Sequence, residues 1–578
     1  MRARGGDSTP NSGLLLLNAR RSHVLADFRP GILEWLCLGA GVLLTIHYAW
    51  IMDDAYVYQR YADNLLFLGN GLVYNRGEFV EGFSSPLWMI ALAIIRATHL
   101  DYWILVRIVG AICFVGFWIL LITTNRNLSP RDVGSFNLPL LYLTFTYGTI
   151  CYFTSGLETP IVQLIAVAFA LLVVAPASAP ARALVALAPL ARPELTLPFA
   201  MILFWIWHRQ KRFPWTLALS GIGLAAAWLL FRIYYYAELV PVTFHLKNMV
   251  DVKQGLVYLH DTFGTYSFYV VAVFVIALLA QSKLRGIPSA LHVQERLVML
   301  AMAAAVTLYV IKIGGDARHY RYLAFPFCLA ACAFGGAVEV ASARWPRALL
   351  PAVGLVLAGL FLWQHPKQLA HHPVFMIEGQ EVADGIADAH HHRFHSELPR
   401  LRPWGGAGSR ERLSDYRTYR SKVKNGEWPY RGVRHGYLCW QQYEAIDEIA
   451  VHDLGLTDPI LARVDMRADR PGHKWGLRPL GSDLAKVRAF WGEKKPAPGM
   501  HRRAVEEGVA GSWIRDNLDS IELIERKAYN RHHFFENLAL AFAFPDTIQV
   551  KTQEPTKSFT TETRRHGEEL ETRRSDRF

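Results

Sequence analysis

The chain has 578 residues, of which 52% are hydrophobic and 19% charged, and a formal net charge of +12. Charge is sparse from about residue 30 to about residue 363 and dense afterwards, which divides a membrane part from a water-soluble part. The basic residues form no single stripe and no nucleic-acid-binding motif, so nucleic acid is excluded as a partner and the excess reads as basic cytoplasmic loops. Cys37, Cys113, Cys151, Cys328 and Cys332 lie in apolar segments and Cys439 is alone in the soluble part, so no disulfide framework or Cys-x-x-Cys pair is present.

Residues 1–30 read as a cytoplasmic N-terminal segment. No small-residue cleavage site follows the first apolar run, so that run reads as a retained anchor. A span needs about 20 mostly apolar residues. Candidates are Gly31–Ile51, Pro86–Leu100, Trp103–Thr123, Phe136–Phe153, Pro160–Ala177, Arg182–Trp207, Pro214–Tyr236, Phe263–Gln281, Leu297–Ile313, Tyr320–Ala341 and Leu349–Trp363. The fold class is therefore a multi-pass α-helical membrane protein of about 11 spans, with a membrane domain over 31–363. Pro86–Leu100 is short, and Arg182–Trp207 is interrupted by "RPE" and reads as a broken helix.

Positive charge orients the array. Arg2, Arg4, Arg20, Arg21 and Arg29 precede the first span, and "HRQKR" (His208–Arg212), Ser282–Arg296 and Ser342–Arg347 are basic. With all of these in the cytoplasm, Met52–Ser85, Ala237–Thr262 and Gly314–His319 fall outside, as does the C-terminal part. Arg126 and Arg131 then fall on the wrong side. Residues 364–550 read as an extracytoplasmic soluble α/β domain, with Gly455 and Pro459 as punctuation. Residues 551–578, with few apolar groups and a repeated "ETRR", read as a disordered tail. The run "HHHRFH" (His390–His395) has no ligand partner at matching spacing and reads as a solvated loop.

The first outer loop, 52–85, is the richest stretch. After Asp53 and Asp54 the pattern is helical: Tyr58, Tyr61, Ala62, Leu65 and Leu66 share one face, and Asp53, Tyr56, Arg60, Asp63 and Asn64 lie nearer the other. Such a helix is expected to lie in the plane of the membrane interface. "GNG" then turns the chain, and Glu78 and Glu81 return toward the membrane. Asp53 could simply cap a helix. The clustering of carboxylates beside aromatics instead suggests a site for a hydroxyl-bearing substrate, with one Asp taking its proton and the others positioning it or holding a cation.

These residues carry a resemblance. "DDAYVYQRYADNLLFLGNGLVYNRGEFVEGFSSPLW" resembles the first outer loop of GT-C glycosyltransferases, most nearly that of the terminal β-arabinofuranosyltransferase-like group of cell-wall biosynthesis. "TSGLETP" (Thr154–Pro160), "ARPE" (Ala191–Glu194), "PVTFHLKN" (Pro241–Asn248), "GGDARHYRYLAFP" (Gly314–Pro326) and "GLTDPILAR" resemble later blocks of that family. Ala317, Arg318 and His319 depart from it where a Trp or Met usually follows Gly-Gly-Asp. The resemblance implies a membrane enzyme of the bacterial cytoplasmic membrane with an extracytoplasmic site. Its implied partners are a polyprenyl-phosphate-linked sugar donor, a glycan or lipid-glycan acceptor and membrane lipids. The implied reaction moves the sugar, arabinofuranose in the nearest group, to an acceptor hydroxyl with inversion.

That chemistry needs a base, cations for the leaving phosphate and an apolar groove for the lipid. Asp53 is the candidate base, with Asp54 as alternate or partner. The two diverge by about 100° on a helix, so one points into the site. The sequence does not decide whether a cofactor is needed; Asp53 and Asp54 could hold a divalent cation such as magnesium or manganese. Arg60, Asn75, Glu78 and Glu81 are candidate sugar-positioning groups, and Tyr74 and Trp88 could stack on sugar, line the groove or anchor at the interface. Arg192, Lys247, Arg318 and Arg321 are candidates for the phosphate, with Glu158, Glu194, His245 and Asp316 beside them. Arg192 could instead pair with Glu194, and Asp316 with Arg318. Two other readings stand beside the enzyme. One is a transporter or flippase of lipid-linked sugars, for which Arg192 and Glu194 are the best support. The other is a glycan-binding receptor or scaffold.

Overall fold

A computed structural model describes residues 30–129, 136–248, 250–284, 292–338, 356–357, 359–360 and, with interruptions, 433–550. The helices of its apolar part are α1 (Ile32–His47), α2 (Ala55–Leu66), α3 (Pro86–Ala97), α4 (Tyr102–Leu128), α5 (Leu138–Thr144), α6 (Tyr147–Cys151) and α7 (Thr159–Val174). They continue as α8 (Ala179–Ala186), α9 (Ala188–Ala191), α10 (Thr196–Gln210), α11 (Trp215–Tyr236) and α12 (Val242–Lys247). The last four are α13 (Val252–Thr265), α14 (Phe268–Leu284), α15 (Val293–Lys312) and α16 (Ala324–Cys332).

Among the described residues, α4, α11 and α15 are long and apolar enough to cross a bilayer, and the pair α13–α14, bent by 66°, adds a fourth crossing if it is one span. The expected runs are otherwise divided. Phe136–Phe153 becomes α5, α6 and a 3₁₀ turn, and Arg182–Trp207 breaks at Arg192 and Pro193. Such breaks are tolerated where neighbouring segments, rather than lipid, meet the freed backbone groups. Tyr142 and Tyr266 do this here: the Tyr266 hydroxyl accepts from Gly148 N and the Tyr142 hydroxyl donates to the Tyr266 carbonyl. Most of Leu349–Trp363, the tail and His390–His395 lie outside the described residues.

The bundle has two distinguishable ends. At one, Trp50 Nε1 donates to the Cys151 carbonyl, Met52 N to the Ser155 carbonyl, and Asp251 N to the Lys312 carbonyl. At the other, Arg126 pairs with Glu34 at 3.2 Å, Arg209 pairs with Glu295, and Arg296 Nη2 donates to the Gly335 carbonyl at 2.7 Å. The pairing of Arg126 corrects the sequence reading. Pro86–Leu100 is not a crossing, because α3 has 12 residues and runs beside α2. Trp88 Nε1 donates to the Gly156 carbonyl, Arg96 pairs with Asp63, and Trp103 meets the Tyr56 ring edge-on. With one crossing fewer, α4 returns Arg126 to the end where α1 begins, and this residue's conflict with the charge rule disappears. Arg131 lies outside the described residues.

The C-terminal part has its own apolar core, including Val451, Ile460, Leu484, Ile514 and Ile524. Strands β1 (Val433–Gly436) and β2 (Ile449–His452) pair in parallel, as do β3 (Val464–Asp465) and β4 (Ile548–Gln549). Around them lie α17 (Arg478–Trp491), α18 (Met500–Glu506), α19 (Ser512–Asp516), α20 (Leu518–Tyr529) and α21 (Phe534–Ala541). Val80, Val242 and Leu246 from the first part belong to the same core, so the two parts share apolar surface.

The first loop is built into this contact. Asn75 exchanges two hydrogen bonds with the backbone of Ala450, both 2.9 Å, acting as a side-chain extension of β2. Phe79 N donates to the Ala528 carbonyl, and the Tyr74 hydroxyl donates to Gln442. Consequently α2 is buried from Ala55 through Asn64, which overturns the expectation of an interface helix with a solvated polar face. The period was right. The polar face meets protein, with Arg60 donating to the carbonyls of Tyr74, Gln442 and Glu448.

Glu78 and Arg488 form the deepest link, an ion pair at 2.6 Å with both side chains 1% exposed. Arg488 also donates to the Tyr529 hydroxyl. Replacing Glu78 by Ala strands Arg488 in an apolar setting, and thermal unfolding in detergent should report a loss of about 3–5 kcal/mol. Replacing both, Glu78→Leu with Arg488→Met, should recover most of that loss. If the double variant unfolds as early as the single one, the pair is not the source of the effect.

Asp458 faces the same pair. Its carboxylate accepts from Ile460 N and Leu461 N, while burial and then Glu78 push its pKa above the ordinary range, against Arg488. A carboxyl raised on folding favours the protonated form, so its contribution to stability falls as pH rises from the ordinary Asp value through the raised one. Asp458→Asn keeps the two acceptor contacts and removes the charge. Its unfolding temperature relative to the parent should therefore increase between pH 4 and pH 8, and parallel curves would refute this.

Candidate active site

Charged side chains from distant parts of the chain converge at the end of the bundle bearing Asp53. A 3₁₀ turn, Arg321–Leu323, opens α16 and places Arg321 at the centre. Its Nη1 lies 2.9 Å from Asp54 Oδ2 and 3.7 Å from Asp316 Oδ2, and its Nη2 lies 3.7 Å from Glu158 Oε1. Glu158, just before α7, binds Arg192 at 2.7 Å, and Arg192 binds Glu194 at 2.6 Å. The Tyr58 hydroxyl of α2 reaches Glu158 at 3.4 Å.

Tyr322 organises the cations. Arg192, Lys247 and Arg321 stand 4.6, 4.9 and 5.8 Å from its ring centroid, and Lys247 donates to its hydroxyl. A ring face attracts cations electrostatically, most strongly where water is excluded. Burial opposes the charge on Lys247, but Tyr322 and Asp316 outweigh it and hold the ammonium pKa above its ordinary range. Burial likewise opposes the Glu158 charge, and Arg321 with Arg192 outweighs it, so that carboxyl lies below the ordinary range.

The local backbone aims these groups. Tyr320, directly before Arg321, has φ +68°, a conformation rare for a bulky residue and tolerated only where the surroundings impose it. Its hydroxyl meets Thr149 Oγ1 at 3.0 Å, and its ring lies so close to Gly148 that a Cβ there would come within 2.6 Å of it. His319 is held by Asp261 at 2.5 Å and by the Tyr266 hydroxyl at 2.7 Å.

Asp53 and Asp54 have different surroundings. Asp53 is buried and its Oδ2 accepts from Cys439 N at 2.9 Å, whereas the Asp54 side chain is 27% exposed and pairs with Arg321. Ligand atoms of Asp53, Asp54 and Cys439 lie within 4.8 Å of one another. The two carboxylates suit magnesium or manganese, while the thiol belongs to a softer class of ligand.

Of the sequence candidates, Asp54, Glu158, Arg192, Glu194, Lys247, Asp316 and Arg321 come together, with Asp53 adjoining. The others are engaged elsewhere. Arg60, Tyr74, Asn75 and Glu78 contact the C-terminal part, as described. Glu81 is buried against Arg232 and Trp228, and the indole of Trp88 binds the Gly156 carbonyl. His245 faces Arg463 and Glu238, and the Arg318 carbonyl accepts from Tyr258. Asp316 faces Arg321 at 3.7 Å. Tyr322, Tyr58 and Cys439 were missed, although Tyr322 stands inside the quoted "RYLAFP" block.

Two curated proteins align with the chain, both named terminal β-(1→2)-arabinofuranosyltransferase. The one from Mycobacterium tuberculosis is 29% identical over 369 residues, covering 54% of this chain and 58% of the relative. The one from Corynebacterium glutamicum is 27% identical over 328 residues, covering 48% and 46%. The chain is thus similar to two terminal arabinofuranosyltransferases over about half its length. It spans about half the length of the curated relatives it matches. No family model and no solved structure matches it.

Glu158 joins two arginines while wholly buried, so Glu158→Gln removes the charge they share. Breaking such a pair should cost about 3–5 kcal/mol, read as a lowered unfolding temperature in detergent. A change below about 1 kcal/mol, the range of exposed pairs, would show that solvent already screens the cluster.

Proposed function

We propose that the protein is an inverting membrane glycosyltransferase. It moves a sugar, arabinofuranose by analogy with its relatives, from a polyprenyl-phosphate donor to a hydroxyl of a cell-envelope glycan on the outer face of the membrane. The observation that carries this reading is the convergence of Asp54, Glu158, Arg192, Lys247, Asp316 and Arg321 at one end of an apolar bundle. Within it, Asp316 Oδ2 and Arg321 Nε are buried with no hydrogen-bond partner among the described residues. An acceptor oxygen and a guanidinium N–H left unmet in one site suit a ligand that has both hydroxyls and a phosphate.

In this mechanism Arg192, Lys247 and Arg321 receive the phosphate and stabilise the charge that develops on it as the glycosidic bond breaks. Asp54 holds Arg321. Asp53, fixed by the Cys439 N–H, takes the proton of the acceptor hydroxyl as that oxygen attacks the anomeric carbon from the face opposite the phosphate. The outward orientation is supported by Arg126, Arg209 and Arg296 at the opposite end. The transporter reading drew on Arg192 and Glu194 as charges within a span. In the structure both lie beside Glu158 in the charged cluster.

Transfer from a synthetic polyprenyl-phosphoarabinofuranose to an oligosaccharide acceptor tests the assignment. Asp53→Asn should lower turnover about 10²–10⁴-fold with the donor KM little changed. Asp54→Asn should act chiefly by raising the donor KM. Full activity in both variants and in their combination would overturn the site.

A further inference from the structure

The last described helix of the C-terminal part has an apolar face turned outward. In α21, Asn537, Leu540 and Ala541 are buried, while Phe535 is 80% exposed and Phe542 60%. Phe544, just beyond, is 70% exposed. At helical spacing Phe535, Ala539 and Phe542 form one face, opposite to the buried one. A domain surrounded by water would place polar side chains there.

The position of α21 shows what this face meets. Asn537 Nδ2 donates to the Tyr234 carbonyl at 2.6 Å, which fastens the helix to the last turn of α11. That helix is long and apolar enough to cross a bilayer, and Leu230 and Tyr234 on it are exposed. At the same level the end of α2 exposes Leu66, Phe67 and Leu68, and the chain just beyond is tied to α11 by Tyr236 donating to the Leu72 carbonyl. The exposed apolar residues of a helix long enough to span a bilayer thus lie beside the exposed aromatics of the C-terminal part. An aromatic-rich amphipathic helix beside a spanning helix suits the headgroup and upper acyl region of a bilayer.

We propose that Phe535, Phe542 and Phe544 insert into the membrane interface, so that α21 seats the C-terminal part on the lipid surface beside α11. Lipid is the occupant because the helix that carries this face is fastened to the end of α11, where Leu230 and Tyr234 are exposed on a helix long and apolar enough to cross a bilayer. Insertion also holds α20, whose Ala528 carbonyl binds the first loop at Phe79, at a fixed height above the bundle. This proposal depends on α11 crossing a bilayer and not on the glycosyltransferase reading.

The test uses the full chain in phosphatidylcholine–phosphatidylglycerol vesicles. The six native cysteines are buried, so an environment-sensitive thiol dye can be placed by Phe535→Cys or Phe542→Cys, with Lys486→Cys as the exposed control on the same domain. Unsubstituted protein is the blank. At positions 535 and 542, lipids carrying a shallow spin label should quench the dye at least threefold more than at 486, and aqueous iodide should quench it correspondingly less. Equal behaviour at all three positions would overturn the proposal. So would protection from both quenchers at 535 and 542, which would mean that a protein partner covers the face.

Discussion

Arg321 is the constraint on which the site depends. A guanidinium at the end of an apolar bundle is tolerated only if carboxylates surround it, and Asp54, Glu158 and Asp316 do so from three separate stretches of chain. Each carboxylate has its own anchor. Asp54 begins α2, Glu158 begins α7, and Asp316 sits in the turn after α15. Arg192 repeats the arrangement between Glu158 and Glu194. The broken helices follow from this requirement, because the chain must leave helical geometry where these side chains turn inward. Tyr320 shows the cost most directly: a left-handed residue stands immediately before Arg321.

A second consequence concerns the C-terminal part. It does not stand apart from the bundle as a separate soluble body. Glu78, Asn75 and Phe79 tie the first loop into its core, and Asp53 receives a backbone N–H from Cys439. The loop that supplies the aspartates is therefore held from both sides.

Much of this was legible in the sequence, and what was not has a physical reason. The helix after Asp54 was visible in its period, since apolar spacing reports a local geometry. Its surroundings were not, because one polar face looks the same whether it meets water or the carbonyls of a remote segment such as Gln442 and Glu448. Charge in apolar surroundings was the best guide: Arg192, Glu158, Lys247 and Arg321 were all singled out, and they converge. Glu78 and Glu81 resembled them in composition, yet their partners, Arg488 and Arg232, lie far away in sequence and give them structural contacts. Tyr322 was overlooked because a tyrosine carries no charge and its role as a platform for three cations arises only in three dimensions.

The arrangement of charges also bears on how a donor would be received. Arg192, Lys247 and Arg321 gather on one ring, and Asp54, Glu158, Glu194 and Asp316 already balance them. On the proposed function, a donor phosphate would find the Arg321 Nε–H unmet among the described residues and would share the other N–H groups with these carboxylates. The Asp54–Arg321 contact, with Asp54 27% exposed, is then the one that would yield, since the Glu158–Arg192 pair is buried. The proposed mechanism would then make donor arrival and a shift of Asp54 one event. Because Asp53 and Asp54 are neighbours in the chain, that event occurs within one residue of the proposed proton acceptor. Such coupling favours proton removal only when the donor is in place, which is what a transferase needs to avoid hydrolysing a lipid-linked sugar with water.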